Sequence, residues 1–216
     1  VPNVLVMNAD TAARLKINTL QDLIAEREKL GKSFRKAEIV SFIHAFIDHF
    51  RHLEKQGIVW GGCCPESIFI DENYIFVMGD FAISRELKEG LLSLESRKMI
   101  FDYYSPPEFK PSSKYDVYMF GSILYEMLTF SKYKIDLYHE RVQTLGEFKE
   151  VIGACVQETP EKRPDHNKLF SMVKFLILLE LDPCKKLDEE RMIVYYLFCK
   201  DEIENIYGKN SILGDK

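Results

Sequence analysis

Between Tyr115 and Phe130 the sequence reads YDVYMFGSILYEMLTF and is apolar on nearly every side of a 3.6-residue repeat. A helix of that kind is buried on most of its faces, so a sizeable core has to surround it. The strongest amphipathic pattern lies upstream. Ile39, Phe42, Ile43, Phe46, Ile47, Phe50 and Leu53 form a wide apolar stripe, while Glu38, Asp48, Arg51, Glu54 and Lys55 fall elsewhere and Gly57 closes the helix.

At 216 residues with 46% hydrophobic content, the chain is of ordinary globular composition and long enough for one compact domain. A formal charge of -5 leaves no overall basic footprint for nucleic acid or an anionic membrane. The five cysteines, Cys63, Cys64, Cys155, Cys184 and Cys199, contain no CxxC pair, so neither a disulfide framework nor a zinc ribbon is suggested and a reducing, cytoplasmic setting is expected. The apolar stretch from Leu169 to Leu181 is interrupted by Lys174 and Glu180 and is too short to span a bilayer. The start, Val1-Pro2-Asn3, has neither an initiator Met nor a signal-peptide pattern, which is read as a fragment or the ordered part of a longer chain.

In chain order, Val4 to Met7 suits a short strand, and Thr19 with Asp22 suits the start of a helix that carries Leu20, Leu23, Ile24 and Leu30 to a stop at Gly31. After the amphipathic helix come two β-like runs, Ser67 to Ile70 and Tyr74 to Met78, joined by Asp71-Glu72-Asn73 as a tight hairpin. Phe81 to Lys114 reads as polar and irregular, with prolines at 106, 107 and 111. Further helices are expected at about Leu145 to Gln157, Asn167 to Leu181 and Leu187 to Tyr207. The fold class is mainly α with small β-hairpins.

Five spaced segments carry a resemblance. HLEKQGIVWGGCCPESIFID looks like a long helix running into a catalytic loop, VMGDFAISREL like a metal-binding DFG segment, and YYSPPEF like an APE segment. KYDVYMFGSILYEMLT is similar to a buried helix opening Asp-Val-Tyr/Trp-Ser-Phe-Gly, with Asp116, Phe120, Gly121 and Glu126 in register, and ETPEKRP is similar to a late Arg-Pro motif containing Arg163. In this order they resemble the C-terminal lobe of a protein kinase, leaning towards the tyrosine-kinase-like branch. The resemblance implies three regions: 1–18 as the last small-lobe strand and the hinge, 19–182 as the kinase-like C-lobe, and 183–216 as a helical extension. Most of the small lobe, with its Gly-rich loop and lysine strand, is absent from this sequence.

In the kinase pattern an Asp acts as base, a Lys contacts phosphate and an Asn binds metal. The matching positions here are Gly62, Cys64 and Ser67, and Trp60 stands where a bracing His is usual, a task its large apolar ring is expected to perform by packing in the core, with a binding hot spot as the other reading. Asp80 is the one family-type metal residue left, and a single carboxylate is a poor Mg²⁺ site, so a structural role is expected for it. Ala82 replaces a Gly, which should restrict the loop's usual switch, and Phe81 is kept. Cys63 and Cys64 read as small buried side chains, and His44, His49 and His52 as ordinary helix histidines without ligand spacing. Glu108 and Arg163 are implied to form an ion pair.

The expectation is therefore a non-enzyme with no catalytic, cofactor-binding or metal residues and no cofactor: a pseudokinase lobe that binds protein partners, as a scaffold or structural subunit of a larger assembly or longer chain. Neither nucleic acid nor membrane is an expected partner. The open face is expected around Trp60, Phe81 and the hinge, and the segment after Pro183 is read either as an extra core helix or as a docking helix. The alternative is a protein kinase, or an ATP-binding switch, whose small lobe lies upstream or on another chain.

Overall fold

The computed structural model describes residues 18–70, 76–79, 104–108 and 112–180, with side chains described to 174. The regions 1–17 and 181–216, and with them the expected Val4 to Met7 strand, the hinge and the extension, lie outside the described residues. So do Asp80, Phe81 and Ala82.

A two-residue strand β1 (Asn18–Thr19) leads into α1 (Leu20–Leu30), whose start is fixed as the sequence predicts. Thr19 accepts from the Asp22 amide at 3.1 Å while the Asp22 carboxylate accepts from the Thr19 amide at 3.0 Å, a reciprocal capping box. Next comes α2 (Lys36–Gln56), buried along Ile39, Phe42, Ile43, Phe46, Phe50 and Leu53 and ended by Gly57 at φ 65°. A 3-10 turn (Pro65–Ser67) passes into β2 (Ile68–Ile70), which pairs antiparallel with β3 (Phe76–Met78). β1 pairs antiparallel on the other edge of β2, so the sheet has three strands where the sequence suggests a hairpin. Two residues are too few to show a period, which is why β1 is invisible in the sequence.

The central helix is α3 (Ser113–Thr129), with Val117, Met119, Phe120, Ile123, Leu124 and Tyr125 fully excluded from solvent. Phe120 stacks on both Phe42 and Phe46 of α2, at ring-centre separations of 5.4 and 4.2 Å. Such aromatic contacts add to the burial of apolar area that drives the two helices together. On its far side α3 meets α5 (Lys149–Cys155) so closely that a Cβ on Gly121 would lie 2.6 Å from the Cβ of Cys155. α4 (Ile135–Arg141) has no buried residue, and for that reason no apolar stripe announces it in the sequence. The expected helix from Leu145 to Gln157 is split. A 3-10 segment (Val142–Phe148) precedes α5, and Gly146 at φ 55° and ψ -136° makes the kink. α6 (His166–Glu180) follows a last 3-10 turn (Pro160–Lys162). Among the described residues no helix is long and apolar enough to cross a membrane.

Candidate functional site

The loop that follows α2 is held from below by α3. Asp116, in the first turn of α3 and 1% exposed, accepts hydrogen bonds from the Trp60 amide at 2.9 Å and the Gly61 amide at 2.7 Å. Both amides can point at one carboxylate because Gly61 sits at φ 66°, a region costly for any residue with a Cβ. Burial pushes the Asp116 carboxyl up to about 7, against the pull of the two amide hydrogen bonds. Trp60 is wholly buried and packs edge-on against His49 of α2, with ring centres 4.9 Å apart. The bracing role expected for Trp60 is present, but Trp60 adds nothing to the expected open face, because a fully buried ring offers nothing to a partner. The Phe81 and hinge parts of that face lie outside the described residues. His49 is pushed down to about 4, first by burial and then by neighbouring His52, so its ring is neutral at pH 7.

Further along the loop, the Ser67 hydroxyl lies 2.6 Å from the Gly62 carbonyl and 2.9 Å from that of Cys64, and it accepts from the Cys64 amide at 3.2 Å. The Ser67 carbonyl in turn accepts from the Gly79 amide at 2.8 Å, tying the end of β3 to the loop. Cys63 and Cys64 are buried as expected. Burial is the main cause that raises both thiols, Cys64 to about 11, so neither is a ready thiolate at neutral pH. From 58 to 67 the one carboxylate is Glu66, and it is exposed. Among the described residues no three His, Cys, Asp or Glu side chains gather as an ion site.

Two more buried acid clusters fasten distant segments to the same frame. Glu108 meets Arg163 through two parallel hydrogen bonds of 2.6 and 2.8 Å, the ion pair the sequence implies. Arg163, with a side chain 0% exposed, also donates to the carbonyls of Gln157, Lys114 and Glu158, and its guanidinium lies 4.8 Å from the centre of the Tyr118 ring. The second cluster was not read from the sequence. Glu126, near the end of α3, accepts from the Tyr104 hydroxyl at 2.5 Å and pairs with Lys132 at 2.7 Å, and Lys132 also contacts that hydroxyl. Burial, followed by the Glu126 charge, holds Tyr104 firmly as the neutral phenol. The available signal was Glu126 itself, since a carboxylate inside a nearly all-apolar helix has to be paired.

Comparison with known proteins agrees with this geometry. The profile of the family described as "Protein tyrosine and serine/threonine kinase" matches residues 4–173. Human tyrosine-protein kinase Srms is 24% identical over 153 residues, 62% of this chain and 31% of that protein. The Drosophila melanogaster G protein-coupled receptor kinase 2 is 32% identical over 116 residues, 52% of this chain and 15% of that protein. Human cytoplasmic tyrosine-protein kinase BMX is 22% identical over 163 residues, 67% of this chain and 24% of that protein. The matched part is thus less than a third of each of these relatives. All three are named as kinases, and this corrects the expectation of a non-enzyme, which rested on the substitutions at Gly62, Cys64 and Ser67 and on the small-lobe motifs missing from this sequence. Three buried anchors at Asp116, Glu126 and Arg163, together with a profile match over most of the sequence, lead to one conclusion: the chain belongs to the protein tyrosine and serine/threonine kinase family.

Proposed function

We propose that this chain is a protein-binding lobe of the protein kinase fold, working in the cytoplasm within a longer chain or a larger assembly, with neither nucleic acid nor membrane as its partner. One observation carries the reading. α4 has no buried residue and presents Ile135 at 45% exposure beside a groove of about 630 Å³ formed with α5 and α6. A concave groove edged by an exposed apolar side chain supports a binding role, because covering Ile135 removes the cost of hydrating it. The rigid frame supports the same role. Asp116, Glu126 and Arg163 fix the loops around α3, so a partner would meet a preformed surface. Native purification of the full-length gene product should return it in a stoichiometric complex. Recovery as a free monomer at its cellular concentration overturns the proposal.

A second reading is favoured by the names of the relatives: an ATP-dependent phosphotransferase whose small lobe lies upstream or on another chain. The proton acceptor would then come from outside the Gly62 position, which has no side chain. Transfer of labelled phosphate from ATP by the full-length product, lost in an Asp80→Asn variant, is the result this reading expects. Absence of both transfer and any ATP-induced rise in melting temperature eliminates it.

A further inference from the structure

The groove beside α4 continues into a second hollow of about 230 Å³, the two sharing Tyr133, Ile135, Val156 and Glu158. Its floor is aromatic and stiff. Tyr133 meets Tyr118 and Tyr125 edge-to-face, at 6.0 and 5.5 Å between ring centres. Tyr133 is 8% exposed and its hydroxyl is buried, so what it offers the groove is ring surface. The rim is charged. Lys162 and Lys168, both exposed, line the α6 side with no partner for their ammonium groups among the described residues, while Glu150 and Glu158 lie on the α5 side.

We infer that this groove takes a segment of a partner protein that seats one apolar side chain against Tyr133, Ile135 and Val156 and sets a carboxylate against Lys162 and Lys168. The inference rests on the protein-binding reading and supplies its chemistry. An apolar anchor fits the exposed Ile135, and the two unpaired lysines select an acid. The acids on the α5 side set a limit: an uninterrupted acidic tract would meet Glu150 and Glu158, so a single carboxylate next to apolar residues suits the groove best.

The test is selection of displayed random peptides on the full chain, followed by fluorescence anisotropy of the enriched peptides against wild type, Ile135→Asp and Lys162→Glu/Lys168→Glu. All three changed positions are exposed, and melting curves of the variants should match wild type. The expected result is a set of apolar-acidic peptides whose affinity falls about tenfold or more in each variant, with a steeper salt dependence lost in the double lysine variant. Peptides enriched for Lys or Arg, or peptides unaffected by the variants, overturn the groove assignment while leaving a protein-binding lobe in place. So does self-association through Ile135, seen as a dimer that Ile135→Asp dissolves. Enrichment of no peptide at all overturns the groove, and a monomeric full-length product in native purification then removes the broader reading as well.

Discussion

Replacing Glu108 with Gln keeps the shape of the side chain but removes the charge facing a guanidinium that has a fully buried side chain. The pair is made of two short, parallel hydrogen bonds, the strongest geometry available to these groups. Breaking a buried pair by removing one partner costs about 3–5 kcal/mol, because the remaining charge stays desolvated. Arg163 keeps three backbone carbonyls, from Gln157, Lys114 and Glu158, and Glu108 is itself 19% exposed, so the lower end applies. For a domain of this size about 3 kcal/mol lowers the melting temperature by roughly 6–12 °C. Arg163→Met should cost more, since those carbonyls also lose their donor. The assay is urea denaturation of wild type, Glu108→Gln, Arg163→Met and the double variant. The double variant should be less destabilised than the sum of the singles, with a coupling of about 2 kcal/mol or more. A Glu108→Gln variant within about 0.5 kcal/mol of wild type, or additive singles, would refute the view that this pair holds the 104–108 segment to the helices.

Asp116 gives the chain a pH signature. Its carboxyl is raised in the fold to about 7, above the ordinary carboxylate value near 3.9, so the fold favours the protonated form. Its contribution to stability is present at low pH and is lost as pH rises towards 7, by at most about 1.4 kcal/mol per unit. Subtracting the pH profile of Asp116→Asn from that of wild type isolates this slope, and identical profiles would show that the carboxyl titrates normally. Trp60→Ala should cost about 3–5 kcal/mol by emptying a fully enclosed site, measured by chemical denaturation. A variant as stable as wild type would place the ring outside the core. Gly121→Val has to push Cys155 away from a 2.6 Å approach and should cost about 1–3 kcal/mol, with Gly121→Ala milder. Equal stability of all three forms would mean that α3 and α5 separate freely.

Local rules carried much of the fold. Thr19 with Asp22, Gly31 and Gly57 bound their helices where the sequence places them, because caps and left-handed glycines act within a turn of their own position. The stripe from Ile39 to Leu53 and the all-round apolar run of α3 were legible for the same reason: burial imposes a period. α4 was missed because it buries no residue fully, Leu137 and Tyr138 being only half-buried, and the helix expected from Leu145 was too long because Gly146 breaks it. In the loop after α2 the sequence showed which chemical groups are missing at Gly62, Cys64 and Ser67. It did not show that Asp116 would hold that loop by the Trp60 and Gly61 amides.

What residue order alone determined is the family, the helix boundaries set by caps, and the Glu108 and Arg163 pairing implied by spaced motifs. Tertiary structure alone decided the rest: that Asp116 clamps the Trp60 and Gly61 amides, that Glu126 gathers Tyr104 and Lys132, and that an aromatic groove stands open beside Ile135. The physical reason is range. Caps and periodicity act between neighbours a few residues apart, whereas a buried charge must be neutralised or hydrogen-bonded by whatever the packing brings near it, from any distance along the chain.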